Sequence, residues 1–128
     1  MSDFSSAGED GEASGVLVRL SEVRRARQDL PVTFDRRELD QILRIYGQMV
    51  AAGEWRDYAI DHLKDRAVFS VFRRTSEVPL FQIVKNPRLA RRQGAYSVVA
   101  ASGAILKRGP ELSRVLAVFD RKLKVVRA

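Results

Sequence analysis

The stretch from residue 53 to residue 74, GEWRDYAIDHLKDRAVFSVFRR, constrains the fold of this chain more than any other. It contains the only Trp and the only His of the 128 residues, together with the most strand-like run, AVFSVF. Because this run places β-branched and aromatic residues on both of its faces, it predicts an inner strand that is covered on both sides. The preceding residues 55–61 then form the other arm of a hairpin, with polar residues in the turn.

A competing interpretation makes residues 54–66 a helix. Asp57, Asp61 and Asp65 would then lie at four-residue spacing on one helical face, where three carboxylates could bind a divalent cation. Basic residues alternate with these acids in the same segment, which is more typical of a solvated surface. We therefore favour the two strands.

An amphipathic helix is predicted for residues 36–52. Asp35 can cap it, and Glu38 follows at the spacing of a capping box. Gly47 lowers the helix propensity of the segment, and we expect it to mark close packing against a strand. The apolar positions recur at three- and four-residue steps and predict a single buried face. They are Leu39, Ile42, Leu43, Tyr46, Met49 and Val50.

Three further strands and a closing helix are predicted after the hairpin. The strands are residues 80–85, 95–101 and 104–108. Ser102 and Gly103 join the last two strands as a two-residue hairpin loop, and the closing helix runs from residue 109 to about residue 123. The predicted fold class is α+β. It has an N-terminal amphipathic helix, about five antiparallel strands in a meander plus a hairpin, and a C-terminal helix, with the helices on one sheet face.

The first 30 residues differ in charge from the remainder. Residues 1–15 carry four acids and no base, residues 16–30 carry four bases and two acids, and residues 31–128 carry 19 bases and 10 acids. We therefore expect a disordered acidic tail and a loosely held basic arm over residues 1–30, and a single compact domain over residues 31–128. The balance of +9 in that domain favours polyanions as partners.

Composition and motifs argue against several classes of function. The chain has no Cys, which rules out disulfides, thiolate catalysis and Cys-based metal sites. It has one His and lacks the P-loop, G-x-G-x-x-G and G-x-S-x-G motifs, so we expect neither an enzyme nor a cofactor. We also expect a cytoplasmic protein without a membrane partner, because no apolar run could cross a bilayer and no signal-peptide pattern is present.

One feature stands above the background, the run KNPRLARRQG at residues 85–94, which has four bases and no acid. Asn86 and Pro87 are typical of the start of a short helical turn, and Gly94 of its end. An arginine presents a planar fork of donors that suits phosphate. The candidate anion-binding residues are the bases of this run and those at two other strand ends: Arg73, Arg74, Lys85, Arg88, Arg91, Arg92, Lys107 and Arg108.

Two hypotheses of different class remain open beside the simpler interpretation of a solvated turn. The first is a non-catalytic nucleic-acid-binding or ribonucleoprotein-associated module, which contacts RNA or DNA through phosphates. The second is a protein-interaction or regulatory subunit, including a homodimer, that uses a sheet edge or an apolar helix surface. A small-anion pocket at the Asn86-Pro87 turn is a third option. Basic residues gathered on one surface favour the first hypothesis, whereas scattered or paired ones with an exposed apolar patch favour the second.

A resemblance to a known family rests on three segments: YGQMVAAGEWRDYAIDHL, AVFSVFRR and VPLFQIVKNPRLARRQGAYSVVAASGAILKRG. These segments and the closing helix resemble a small bacterial family known as a domain of unknown function. The resemblance covers about residues 31–123 and leaves the N-terminal arm outside. It implies a compact single-domain protein and carries no assigned activity, cofactor or catalytic residue.

Overall fold

The computed structural model describes residues 20, 22, 30–74 and 78–120. The chain divides into two units, Met1–Leu30 and Pro31–Ala128. Nearly all of the first unit, with the predicted acidic tail and basic arm, lies outside the described residues. The second unit holds the sheet and the helices discussed below.

The described part of the second unit contains one long helix, five strands and two short helical segments. In chain order they are α1 (Arg36–Ala51), β1 (Asp57–His62), β2 (Ala67–Phe72), β3 (Phe81–Lys85), the 3₁₀ helix η1 (Pro87–Leu89), β4 (Tyr96–Ala100), β5 (Ile105–Gly109) and α2 (Leu112–Leu116). The strands form one antiparallel sheet in the order β1-β2-β3-β4-β5. The predicted α+β class is confirmed, and residues 54–66 form part of a hairpin rather than a helix.

The first turn of α1 is fixed by the predicted capping box. The Asp35 side chain accepts a hydrogen bond from the Glu38 backbone N–H at 2.8 Å, and Glu38 Oε1 accepts one from the Asp35 N–H at 2.7 Å. These bonds satisfy two backbone donors that a helix start otherwise leaves without partners. The sequence therefore fixes where α1 begins.

The buried face of α1 is narrower than its apolar pattern predicts. Ile42 and Met49 are fully buried, whereas Leu43 and Val50 are 40% and 39% exposed. Gly47 is also exposed, and a Cβ added there would meet nothing within 4 Å. The expectation that Gly47 packs closely against a strand is therefore wrong.

Both helices cover the same face of the sheet. The strand register aligns Phe69, Ile83 and Val98 across β2, β3 and β4, and all three side chains are fully buried. The two helices and the residues that follow them bury apolar side chains in the same core. These side chains are Ile42, Met49, Leu112, Val115, Leu116 and Phe119. Residues 67–71 are all buried, so both faces of β2 are shielded as AVFSVF predicts.

Trp55 lies in this core, two residues before β1. Its side chain is 3% exposed, and its ring meets that of Phe119 edge-on with 4.9 Å between centroids. The contact ties the start of β1 to residues that follow α2. The described helical residues after α2 end at residue 120, and the rest of the predicted closing helix lies outside the described residues.

The loop between β4 and β5 is one residue longer than predicted. The Gly103 N–H donates to the Ala100 carbonyl at 2.9 Å, and the Ala100 N–H donates to the Ala104 carbonyl at 2.8 Å. Three residues therefore separate the paired ends, with Gly103 in the left-handed region at φ +91°. A glycine in this conformation is typical of the third position of a three-residue hairpin, which the Ser-Gly pair alone did not reveal.

Candidate nucleic-acid interface

Residues 86–94, which we call the arginine turn, connect β3 to β4. The Asn86 side chain accepts a hydrogen bond from the Arg88 N–H at 3.2 Å, and Pro87 occupies the first position of η1. The Leu89 carbonyl then accepts backbone N–H groups from the three residues at positions 92–94, at 3.1, 3.0 and 2.9 Å. The turn is thus built by its own backbone, as the Asn-Pro start and the Gly end predict.

The arginine turn is held against the end of β5 by a contact between two glycines. Gly94 has a φ of +90°, and a Cβ added to it would lie 2.1 Å from the backbone carbon of Gly109. Only a residue without a side chain fits this approach. The Asn86 N–H also donates to the Ala95 carbonyl at 2.7 Å across the base of the turn. The position of the turn relative to the sheet is therefore fixed by backbone contacts.

Three arginines of the turn face solvent. Arg88, Arg91 and Arg92 are all exposed, and within the described residues none of them forms an ion pair with a carboxylate. The Arg108 side chain, at the end of β5, donates a hydrogen bond to Gln93 Oε1 in the same turn. The structure therefore brings four of the candidate residues to one end of the sheet. We call this end the basic end.

Lys85 belongs to a buried polar cluster instead of this surface. Its Nζ atom lies 2.7 Å from Glu38 Oε1 and 2.9 Å from the Thr33 carbonyl oxygen, and its side chain is only 19% exposed. Tyr96, which faces Lys85 across β3 and β4, donates its hydroxyl to Glu38 Oε2. Glu38 compensates the charge of Lys85 inside the fold, so Lys85 is poorly placed to bind an external anion.

The environment of this cluster keeps Tyr96 protonated. Burial, followed by the hydrogen bond to Glu38 and the negative charge of that carboxylate, raises the pKa of Tyr96 well above its ordinary value. Sequence reasoning missed the cluster because its members lie far apart in the chain. The signal available was Glu38, an acid on the buried side of an amphipathic helix, which needs a partner once it is desolvated.

Arg73 and Arg74 lie at the opposite end of the sheet, which we call the far end. They follow β2, whereas the arginine turn follows β3, and the two strands run antiparallel. A five-residue strand is about 17 Å long, so the far end is separated from the basic end by about that distance. The Nη2 atom of Arg73 lies 3.4 Å from Glu54 Oε2. The structure does not join these two residues to the arginine turn.

Lys107 lies on β5 opposite Val98, on the sheet face that carries the helices. Its side chain is exposed. It also lines a groove between β5 and α2 that Arg108 and Arg114 share. Lys107 therefore lies close to the basic end, on the sheet face that the helices cover, and far from Arg73 and Arg74.

Most of the described aromatic rings pack in the core, but Tyr58 contributes to an exposed apolar surface. Tyr58 stacks on Phe69 with 4.9 Å between centroids, and Tyr46 meets Tyr58 edge-on at the same separation. Tyr58 remains 47% exposed. Leu43 and Val50 lie three residues before and four residues after Tyr46, on the same helical face. Together Leu43, Tyr46, Val50 and Tyr58 form what we call the apolar patch, beside the edge strand β1.

The described residues hold no group of three or more His, Cys, Asp or Glu side chains that could bind a metal ion. Asp57, Asp61 and Asp65 therefore do not form the cation site of the helical interpretation. No helix in the described part of the chain is both long and apolar enough to span a bilayer.

Comparisons with known proteins identify a family for this fold. No curated protein and no solved structure matches the chain. A family model described as "Protein of unknown function (DUF2794)" matches residues 32–116, from the residues just before α1 through α2. This match covers the whole sheet, the capping box of α1 and the arginine turn, and it agrees with the resemblance seen in the sequence. The chain belongs to this family of proteins with a domain of unknown function.

Proposed function

We propose that this domain binds nucleic acid through its phosphate backbone at the basic end, without catalysis and without reading base sequence. The observation that carries the proposal is the set of three exposed arginines, Arg88, Arg91 and Arg92, on a turn that backbone contacts hold in place. Two other candidate cations, Arg73 and Lys85, lie next to carboxylates. The fold thus leaves the charge of the arginine turn available for an external anion.

The physical basis is a preorganised set of donors. Each guanidinium can give two parallel hydrogen bonds to a phosphate. Because the turn is pinned at Gly94 against Gly109, the backbone that carries the arginines loses little freedom on binding. The formal charge of +9 on residues 31–128 adds long-range attraction for a polyanion. Phosphate contacts of this kind position a nucleic acid without specifying its sequence. The cytoplasmic location expected from the sequence is part of this proposal.

A titration with labelled nucleic acid tests the proposal. Fluorescence anisotropy would follow mixed-sequence RNA and duplex DNA at two salt concentrations. We expect dissociation constants of about 10⁻⁴ to 10⁻⁶ M or tighter, weakening steeply as salt rises. The variant Arg88→Glu/Arg91→Glu/Arg92→Glu should lose most of this binding. Removing three phosphate contacts should reduce the slope of log K against log salt by about 2.7 on duplex DNA.

A variant of equal charge change at the far end provides the control. Arg56→Glu/Arg73→Glu/Arg74→Glu alters the net charge by the same amount, and all three side chains are exposed there. If binding depends on the arginine turn, this control retains most of the affinity. Equal losses in the two variants would show only a response to net charge and would overturn the assignment to the turn.

The apolar patch supports a second candidate function, as a protein-interaction or regulatory subunit. Leu43, Val50 and Tyr58 expose 40%, 39% and 47% of their surface around one aromatic contact. They also adjoin β1, an edge strand that could pair with another chain. If the patch mediates self-association, sedimentation velocity should show a dimer at high concentration that Leu43→Gln/Val50→Gln converts to monomer. A wild-type chain that stays monomeric at every concentration would remove the homodimer from consideration.

A further inference from the structure

A groove of about 430 Å³ lies between β5 and α2. Lys107, Arg108, Gly109 and Pro110 form one side, and residues of the closing helix form the other. The volume falls within the range of sites that hold a small organic ligand. The residues around it combine charge and apolar surface in a way that narrows the class of ligand.

The groove begins where the arginine turn ends. Gly109 lines the groove, and the same glycine is in backbone contact with Gly94, the last residue of the turn. Arg108 also lines the groove, while its guanidinium donates to Gln93 in the turn. A ligand that lies across Arg88, Arg91 and Arg92 could therefore continue into the groove without leaving the protein surface.

The rim of the groove is positively charged. Lys107, Arg108 and Arg114 line it together with one carboxylate, Glu111. The Glu111 carboxylate lies 3.2 Å from Arg114 Nε, so one of the three cations is partly neutralised. Lys107 is exposed and forms no ion pair with any residue that the structure describes. The remaining positive charge suits a phosphate.

The inner wall of the groove is apolar. Pro110 and Ala117 line the groove with exposed apolar side chains, whereas Val115, which also borders it, is fully buried in the core. A free phosphate would gain nothing from such a wall, whereas a nucleotide could set its base against it. Among the described residues, no aromatic ring lines the groove, so contact with a base would be apolar and tolerant of sequence.

We propose that the groove holds one nucleotide of a single-stranded nucleic acid whose backbone continues over the arginine turn. The inference rests on the proposed function and adds to it the class of ligand, a single strand rather than a duplex. The bases of a duplex are stacked and paired, so moving one of them into the groove costs free energy. The bases of a single strand are already unpaired, and the cost is smaller. A strand with free bases can place a phosphate at Lys107 and a base against Ala117 and Pro110.

Binding of matched oligonucleotides tests this inference. Anisotropy titrations would use a single strand of about ten nucleotides, made once as RNA and once as DNA, and the corresponding DNA duplex. Wild type should bind either single strand more tightly than the duplex. Ala117→Phe fills the groove without changing charge, and it should weaken the single strand by about tenfold, the lower range for losing one base contact, while leaving the duplex unaffected. Ala51→Phe, at the exposed last residue of α1, is the matched control.

A pair of charge variants tests the rim. Lys107→Gln/Arg114→Gln should reduce the salt slope for the single strand by about 0.7 to 1.4, the values for one and two lost phosphate contacts, because Glu111 already neutralises part of the Arg114 charge. Arg44→Gln/Arg56→Gln removes equal charge at exposed sites outside the groove and should leave the slope unchanged. Thermal unfolding would check that each variant folds. If Ala117→Phe is too unstable to use, the exposed Lys107/Arg114 pair decides the question.

The outcomes separate this inference from the proposed function. If the arginine-turn variant loses binding while the groove variants bind the single strand like wild type, the groove inference is overturned and the proposed function stands. Equal affinity of wild type for single strand and duplex would also overturn it. If wild type binds no nucleic acid at all, both proposals fall together.

Discussion

The Nζ atom of Lys85 lies 2.7 Å from Glu38 Oε1 and joins the end of β3 to the first turn of α1. The same Glu38 oxygen accepts the Asp35 N–H of the capping box. One carboxylate therefore accepts a backbone N–H at the start of α1 and also neutralises a largely buried lysine. Because the partners lie 47 residues apart in the chain, this contact fixes how α1 sits on the sheet.

Neutralising Glu38 should cost more stability than neutralising an exposed acid on the same helix. We expect Glu38→Gln to lower the free energy of unfolding by about 2 to 3 kcal/mol, because Lys85 then lacks its counterion and the hydrogen bonds lose their charge assistance. The matched control Asp40→Asn removes an exposed carboxylate from α1 and should change stability by less than about 0.5 kcal/mol. Urea unfolding measures both. Equal losses would show that the contacts of Glu38 with Lys85 and Tyr96 stabilise the fold no more than an exposed carboxylate does.

Tyr96 should make the fold sensitive to alkaline pH. Its pKa is raised in the folded state above the ordinary value of 10.0, first by burial and then by the bond to Glu38. The folded chain therefore keeps this proton where the unfolded chain releases it, so stability is present below pH 10.0 and falls as pH rises above it. Tyr96→Phe should show a smaller loss between about pH 9 and about pH 11 than wild type.

The comparison with Tyr96→Phe separates the effect of Tyr96 on the pH dependence of stability from that of Tyr46. Burial and the nearby Asp57 charge also raise the pKa of Tyr46, and that contribution is present in both chains. Urea unfolding midpoints at the two pH values give the comparison. If wild type and Tyr96→Phe lose equal stability, the titration of Tyr96 is not coupled to folding.

Local signals in the sequence account for most of the elements, but not for their contacts. The Asp35–Glu38 spacing, the AVFSVF run and the Asn86-Pro87 pair each depend on neighbours within a few residues, and each prediction is confirmed. The extent of the basic surface depends on which strand ends meet, which follows from the register of the whole meander. For this reason the sequence grouped Arg73 with the arginine turn, although the sheet separates them.

The width of the buried face of α1 could not be predicted from the sequence, for a related reason. Leu43 and Ile42 are both apolar and adjacent on the helix, so periodicity alone assigns both to the core. Only the position of α1 over the sheet decides that Ile42 is fully buried while Leu43 remains 40% exposed. The buried role of Lys85 is a similar case, since a lysine at a strand end is ordinarily solvated.

The Gly94–Gly109 contact should make position 94 intolerant of any side chain. Gly94→Ala combines a left-handed φ with a Cβ 2.1 Å from backbone carbon, and we expect a loss of more than about 2 kcal/mol in the free energy of unfolding. Gly103→Ala shares the left-handed φ, but its Cβ would meet nothing within 4 Å, so it should cost only about 1 kcal/mol. Urea unfolding compares the two. Similar costs would contradict the close approach.

Gly47→Ala should stabilise the domain. Gly47 lies inside α1, is exposed, and leaves open space around an added Cβ. Alanine is favoured over glycine in a helix interior by about 1 kcal/mol, because glycine loses more backbone entropy on folding. The expected rise in Tm is about 4 to 8 °C for a domain of this size. Gly53→Ala, where φ is +76° just after α1, is the matched control and should lower Tm. A neutral or destabilising Gly47→Ala would contradict the open space that surrounds position 47.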